Sequence, residues 1–108
     1  VSKGMIVLSE RLEQLARAVA ETLPGAYGTL NIQIFWDEPS DRIAIIEINP
    51  RFAGGFPLTW EAGGHFPRWI VEEILGLPST VSRARIHDGL VMLRYDSAVF
   101  VERTHAGD

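Results

Sequence analysis

The chain has 108 residues, 46% of them hydrophobic and 22% charged, with a formal net charge of −4. These are the proportions of an ordinary globular domain with one core. The ten dispersed Lys and Arg give no electrostatic footprint for nucleic acid, the absence of cysteine excludes disulfides and thiolate metal sites, and no apolar run approaches the ~20 residues that span a membrane. A cytoplasmic home is therefore expected.

In chain order, residues 1–8 read as the end of a strand, with Met5 to Leu8 entering the core. Ser9 is a predicted N-cap, and Glu10 falls in the first turn, where the helix dipole favours an anion. Leu12, Leu15, Val19 and Leu23 recur at helical spacing until Pro24-Gly25 ends the helix. Residues 29–36 and 43–49 are rich in β-branched and aromatic residues and flank Asp37-Glu38-Pro39-Ser40-Asp41-Arg42, a run of turn formers. They predict a β-hairpin, with the preceding helix as cover for its apolar side.

Pro57 to Ala62 predicts a short helix stopped by Gly63-Gly64. Pro67 suits the first turn of another, whose apolar side is Trp69, Ile70, Ile74 and Leu75, and Gly76 and Pro78 close it. The pair Glu72-Glu73 reads as a solvated face. Residues 79–88 read as loop, and 90–95 and 98–101 as two strands around a tight turn at Asp96-Ser97. The expected class is α+β, a mainly antiparallel sheet with two helices on one face, over residues 1–102; residues 103–108 form a flexible tail.

The chemistry concentrates in the first hairpin. If its loop centres on Ser40, Gln33 lies opposite Glu47 and Asn31 opposite Asn49. One face then holds Leu30, Ile32, Ile34, Trp36, Ala44, Ile46 and Ile48, and the other holds the polar groups with Phe35 and Ile45. A slip of one residue would scatter the polar groups over both faces. Amide and carboxylate oxygens are hard ligands of the kind Mg²⁺ or Mn²⁺ takes while keeping phosphate oxygens in its remaining positions. Pro50 ends the strand, Arg51 offers a planar fork for phosphate or carboxylate, and Ala53-Gly54-Gly55 allows close backbone approach. The plainer alternative is a surface Glu-x-Asn pair with Arg51 as its ion-pair partner. His65, His87 and His105 lie far apart, no nucleophile elbow or Walker loop is present, and Asp37 and Glu38 sit at the hairpin tip away from the polar cluster.

Gln33 followed by Glu47-x-Asn49-Pro50-Arg51 resembles the metal-binding signature of the ATP-grasp superfamily, in the branch that contains the carbamoyl-phosphate synthase large subunit. The likeness runs on through Phe52 to Leu58 and Ala62-Gly63 and covers most of residues 1–102. It implies ATP-dependent ligation, in which a small-molecule carboxylate is phosphorylated and a nucleophile then displaces phosphate. By position, the resemblance makes Gln33, Glu47 and Asn49 the ligands of Mg²⁺ or Mn²⁺, and gives Arg51 a catalytic role at the γ-phosphate or acyl phosphate. Asn31, Arg51, Gly54 and Gly55 become nucleotide contacts. A complete ATP-grasp enzyme is considerably longer and carries lid lysines, whereas this chain has a single lysine, Lys3. The expectation is a C-terminal half of the domain, whose partner is either the missing N-terminal half or a second copy, through a sheet edge or the Phe52–Phe66 region. The rival function is a non-catalytic binding or assembly module.

Overall fold

A computed structural model describes residues 2–104. The fold is α+β. A first strand, β1 (Lys3–Met5), leads into helix α1 (Glu10–Glu21), then the long hairpin strands β2 (Asn31–Asp37) and β3 (Arg42–Asn49). Helices α2 (Phe56–Glu61) and α3 (Phe66–Leu75), a 3₁₀ turn (Arg83–Arg85) and strand β4 (Val91–Leu93) follow. The strands form two separate antiparallel pairs, β2 with β3 and β1 with β4. No helix among the described residues is long and apolar enough to cross a membrane.

Helix α1 begins as its sequence predicts: the Ser9 hydroxyl accepts from the Leu12 backbone N–H at 3.3 Å. Leu12, Leu15 and Val19 are half-buried along one stripe. At the far end the helix stops at Glu21, earlier than the expected Pro24-Gly25: the Thr22 N–H turns back on the Ala20 and Val19 carbonyls, and Gly25 takes a left-handed φ of 68° in the turn that follows. Ser9→Ala removes the one side-chain acceptor at this N-terminus and is expected to cost about 1 kcal/mol, read as a lower denaturation midpoint; an unchanged midpoint would show that the cap contributes nothing.

The helix covers the hairpin only in part. Arg11 forms an ion pair with Asp41 at 3.1 Å, and the Trp36 indole donates to the same carboxylate at 3.0 Å. Ala16 of α1 shares a cavity of about 310 Å³ with Leu30 and Ile32. Ile45 and Ile46 stay about half exposed.

The two short helices are joined by a tight turn. Gly64 N–H returns to the Thr59 carbonyl at 2.8 Å, and Gly63 N–H to that of Trp60 at 3.0 Å. Phe52, Phe56 and Phe66 form an aromatic run, with Phe56 4.5 Å from Phe52 and 6.4 Å from Phe66, centroid to centroid, and Trp69 edge-on to Phe66 at 5.0 Å. Gly76, at φ 67°, ends α3 as predicted. Among the described residues only Leu58 (8% exposed) and Ala62 (3%) are buried apolar side chains. The radius of gyration is 18.2 Å, against ~13 Å for a compact domain of this size, so the apolar residues are spread over an open surface more than gathered in a core.

Four expectations are corrected. Glu72 is not on a solvated face: it is buried at 7% exposure, and its carboxylate accepts from the Thr80 N–H and hydroxyl at 2.9 Å and from Arg68 at 3.3 Å. Ile74 and Leu75 are about two-thirds exposed, whereas Trp69 and Ile70, a turn earlier on the same side, are half-buried, so the apolar side of α3 is covered only over its first turns. Met5 is mostly exposed and only Ile6 and Leu8 lean inward. The expected C-terminal hairpin is absent from the described residues: β4 pairs with β1, in the register Lys3–Leu93, Gly4–Met92 and Met5–Val91, and residues 94–104 carry no regular structure. Long-range pairing with the N-terminal strand stands in place of the local hairpin. His105 and the rest of the predicted tail beyond residue 104 lie outside the described residues.

Candidate metal and phosphate site

Hairpin register decides what this site can be. Asn31 pairs with Asn49 and Gln33 with Glu47, as expected, but the loop itself closes on Asp37–Arg42 and so centres between Pro39 and Ser40, not on Ser40. Between Gln33 and Ile34 the register shifts by one residue, so that Ile34 faces Ile45, Phe35 faces Ala44 and Trp36 faces Ile43. Ile46 is the extra residue of this bulge. The shift corrects the expected faces beyond that point: Ile43 and Ile45 join the apolar side, and Ala44 moves opposite Phe35. Its physical consequence is local. A bulge bends the strand and increases its twist, and here it adjoins the Gln33–Glu47 pair while leaving the Asn31–Asn49 end in regular register.

The four polar side chains therefore share one face at one end of the ribbon. Gln33 and Glu47 are exposed, and Asn31 and Asn49 are half-buried. Asn49 Nδ2 is buried with no hydrogen-bond partner. A half-turn of the amide exchanges Nδ2 for Oδ1, so the same inward position can present an oxygen to a cation. The donor set, one carboxylate with amide oxygens, matches the hard-ligand preference of Mg²⁺ or Mn²⁺. Among the described residues there is no group of three or more His, Asp or Glu that could hold a metal unaided. Glu47 is the one carboxylate of the four, so a cation held here would draw the balance of its negative charge from a ligand such as a polyphosphate.

Arg51 follows directly. Its N–H returns to the Asn49 carbonyl at 2.9 Å, closing the chain over the strand end, and its Nη1 donates to the Phe52 carbonyl at 3.0 Å. No ion pair joins Arg51 to Glu47 among the described residues. Gly54 is exposed, and a Cβ built there meets nothing within 4 Å, so the space before it is open. Gly55 caps α2 at φ −88°, a conformation open to any residue.

The shifted titrations lie away from this site. The indole of Trp36, then Arg11, hold the Asp41 carboxyl below its usual range; the Arg83 guanidinium, hydrogen-bonded at 2.7 Å, does the same for Glu13 and is itself raised by it. Both are braces, one across the hairpin turn and one between α1 and the 3₁₀ turn. His65 lies against Trp60 at 4.4 Å, and the His87 backbone N–H holds the Ala62 carbonyl at 2.8 Å, both structural roles.

A family described as ATP-grasp in the biosynthetic pathway with Ter operon matches residues 2–97. The chain belongs to this ATP-grasp family. No curated protein matches it significantly. The match spans the hairpin, the glycine loop and both short helices, so the whole candidate site lies inside the ATP-grasp segment. One residue that touches this region carried no sequence signal: Arg94, just after β4, donates from Nη1 to the Gly54 carbonyl at 2.9 Å. Forty residues separate the two, and no local pattern links them.

Proposed function

We propose that this ATP-grasp chain supplies the metal- and phosphate-facing wall of an ATP-dependent, ADP-forming ligase acting on a small-molecule carboxylate. In this reading it corresponds to the C-terminal part of an ATP-grasp domain of the carbamoyl-phosphate synthase-like branch. The supporting observation is the register of β2 and β3, which opposes Gln33 to Glu47 and Asn31 to Asn49, with Arg51 two residues beyond the end of that strand pair.

Gln33, Glu47 and Asn49 would hold Mg²⁺ or Mn²⁺, which would neutralise charge on the transferring phosphate. Asn31, Gly54 and Gly55 would border the nucleotide. The Mg-nucleotide, when bound, supplies an activated γ-phosphoryl group. Transfer of that group to a carboxylate oxygen releases ADP, and an amine or thiol then displaces phosphate. Such transfer depends on positioning and charge neutralisation more than on covalent chemistry by the protein. Arg51 suits that role: its guanidinium is planar, permanently charged and exposed, with donors left over beyond the one spent on Phe52.

Glu47→Gln tests this. The substitution keeps the shape and removes the charge, so the affinity for MgATP or MnATP, measured by isothermal titration, is expected to fall at least about tenfold, or 1.4 kcal/mol. Equal binding by both proteins would remove Glu47 from the site, and no binding by either would leave the reading without support.

A second reading, a non-catalytic assembly module, is favoured by the open surface: Phe35 is 73% exposed on the hairpin and Phe100 92% exposed beyond β4. Apolar area of this kind is what an interface covers, whether the occupant is a second copy or another part of an ATP-grasp domain. Concentration-dependent mass by light scattering would support self-association, and a monomer at high concentration would not.

A further inference from the structure

The loop from Pro50 to Gly55 connects the metal strand to α2, and it carries Arg51. Its own contacts are short-range: Arg51 N–H to the Asn49 carbonyl, Arg51 Nη1 to the Phe52 carbonyl, and Phe56 N–H to the Ala53 carbonyl at 3.0 Å. Two glycines in six residues leave such a loop many conformations. Among the described residues, a single hydrogen bond reaches it from outside the hairpin–loop–α2 run, and that bond comes from Arg94.

Arg94 is well placed to act as a brace. Its backbone N–H donates to the Ser2 carbonyl at 2.7 Å, continuing the β1–β4 ladder by one step beyond the Lys3–Leu93 pair. Its guanidinium then crosses to the Gly54 carbonyl at 2.9 Å, linking the end of β4 to the loop that follows β3. Like Arg51, it forms no ion pair with a carboxylate among the described residues. A planar guanidinium hydrogen-bonded to a carbonyl holds its direction better than an ammonium does.

We propose that Arg94 is a positioning residue of the phosphate wall, acting by fastening the Gly54 carbonyl so that the loop holds Arg51 toward the ligand. This rests on the reading of the site given above. It predicts that Arg94 has no separate effect on the ligand once Arg51 is gone.

The test uses the full chain with two readouts. The first is hydrogen exchange at the Phe56 amide, whose bond to Ala53 closes the loop. Arg94→Ala is expected to speed this exchange by about three- to tenfold, with the global unfolding midpoint unchanged and Arg94→Lys recovering part of the protection. The second is the affinity for a non-hydrolysable Mg·ATP analogue in a double-mutant cycle. Arg94→Ala should weaken binding in the unaltered chain and add nothing in an Arg51→Ala background. Unchanged Phe56 exchange overturns the proposal, and so do additive losses in the cycle or an unchanged affinity in Arg94→Ala while Arg51→Ala binds poorly. Failure of the unaltered chain to bind any Mg-nucleotide is a different result: it removes the site reading, and with it any positioning role, even if the exchange rate moves.

Discussion

Gly64→Ala is expected to destabilise the fold by about 2–3 kcal/mol, a loss on the order of 10 °C in Tm for a chain of this size. A Cβ at this position would stand 2.5 Å from Thr59 Cγ2 and 2.9 Å from the Thr59 carbonyl oxygen. The first contact is with a methyl group on a stiff β-branched side chain, and the second is with backbone. Neither can retreat, because Gly64 is buried and its own N–H is bonded to that same carbonyl at 2.8 Å. Thr59→Ser removes the methyl and leaves the carbonyl, so it should recover part of the loss and not all of it. Gly63→Ala should be harmful for a separate reason: its φ of 101° is one L-residues rarely adopt, and its Cβ would lie 2.9 Å from the Arg85 carbonyl. Urea denaturation of the three variants decides the matter. A Gly64→Ala midpoint within experimental error of the parent would show that the α2–α3 turn opens at no cost, contrary to its packing.

Those two glycines were legible as a helix stop, and the structure adds why both are needed. Legibility elsewhere followed the same division between local and distant causes. Ser9, Pro67 and Gly76 mark helix ends through chemistry that acts within a turn, and each boundary falls where that chemistry places it, whereas α1 stops at Glu21, before the expected Pro24-Gly25. The Asn31–Asn49 and Gln33–Glu47 pairs could be read because a short loop between two alternating strands leaves few registers, and the polar face selects one. The bulge at Ile46 could not be read. An isoleucine run from Ile43 to Ile48, interrupted only by Ala44 and Glu47, looks much the same whether or not one residue is skipped.

Distant pairing was hidden altogether. The segment Leu90–Tyr95 has the composition of a strand, and Asp96-Ser97 has that of a turn, so a local hairpin was the economical inference. Its actual partner lies some ninety positions upstream, where Gly4 sits opposite Met92. Nothing in either segment names the other. The same distance conceals the Arg94–Gly54 bond. The pairing of the four polar residues could therefore be read from the hairpin alone, while the Arg94–Gly54 contact with the rest of the molecule could not.

Glu72 is the sharpest case of a side chain whose neighbours the sequence concealed, and its substitution should have the largest effect of any change on α3. Beside Glu73 it looks like half of a solvated acidic pair. In the fold it accepts from the Thr80 N–H and hydroxyl and from Arg68, so it ties the segment after α3 back onto the helix. Glu72→Ala leaves the Thr80 N–H without that acceptor and should lower the Tm clearly, whereas Glu73→Gln, at an exposed position, should leave it almost unchanged. The carboxylate's pKa is lowered, first by the Thr80 backbone hydrogen bond and then by the Thr80 hydroxyl and Arg68. A depressed folded pKa means that the ionised form is bound more favourably in the native state. Its contribution is thus complete at neutral pH, begins to fade as pH drops through the ordinary glutamate value of about 4.3, and is gone below the folded value. Glu13 and Asp41 are depressed too and act in the same direction, so the pH profile of the parent alone cannot assign the effect. The difference between parent and Glu72→Gln can. Glutamine keeps one acceptor oxygen and does not titrate, so the variant should be less stable at pH 7 and the gap should narrow steadily below pH ~4.3. A gap that stays constant with pH would mean that Glu72 acts through shape alone, and that its charge contributes nothing to holding Thr80 in place.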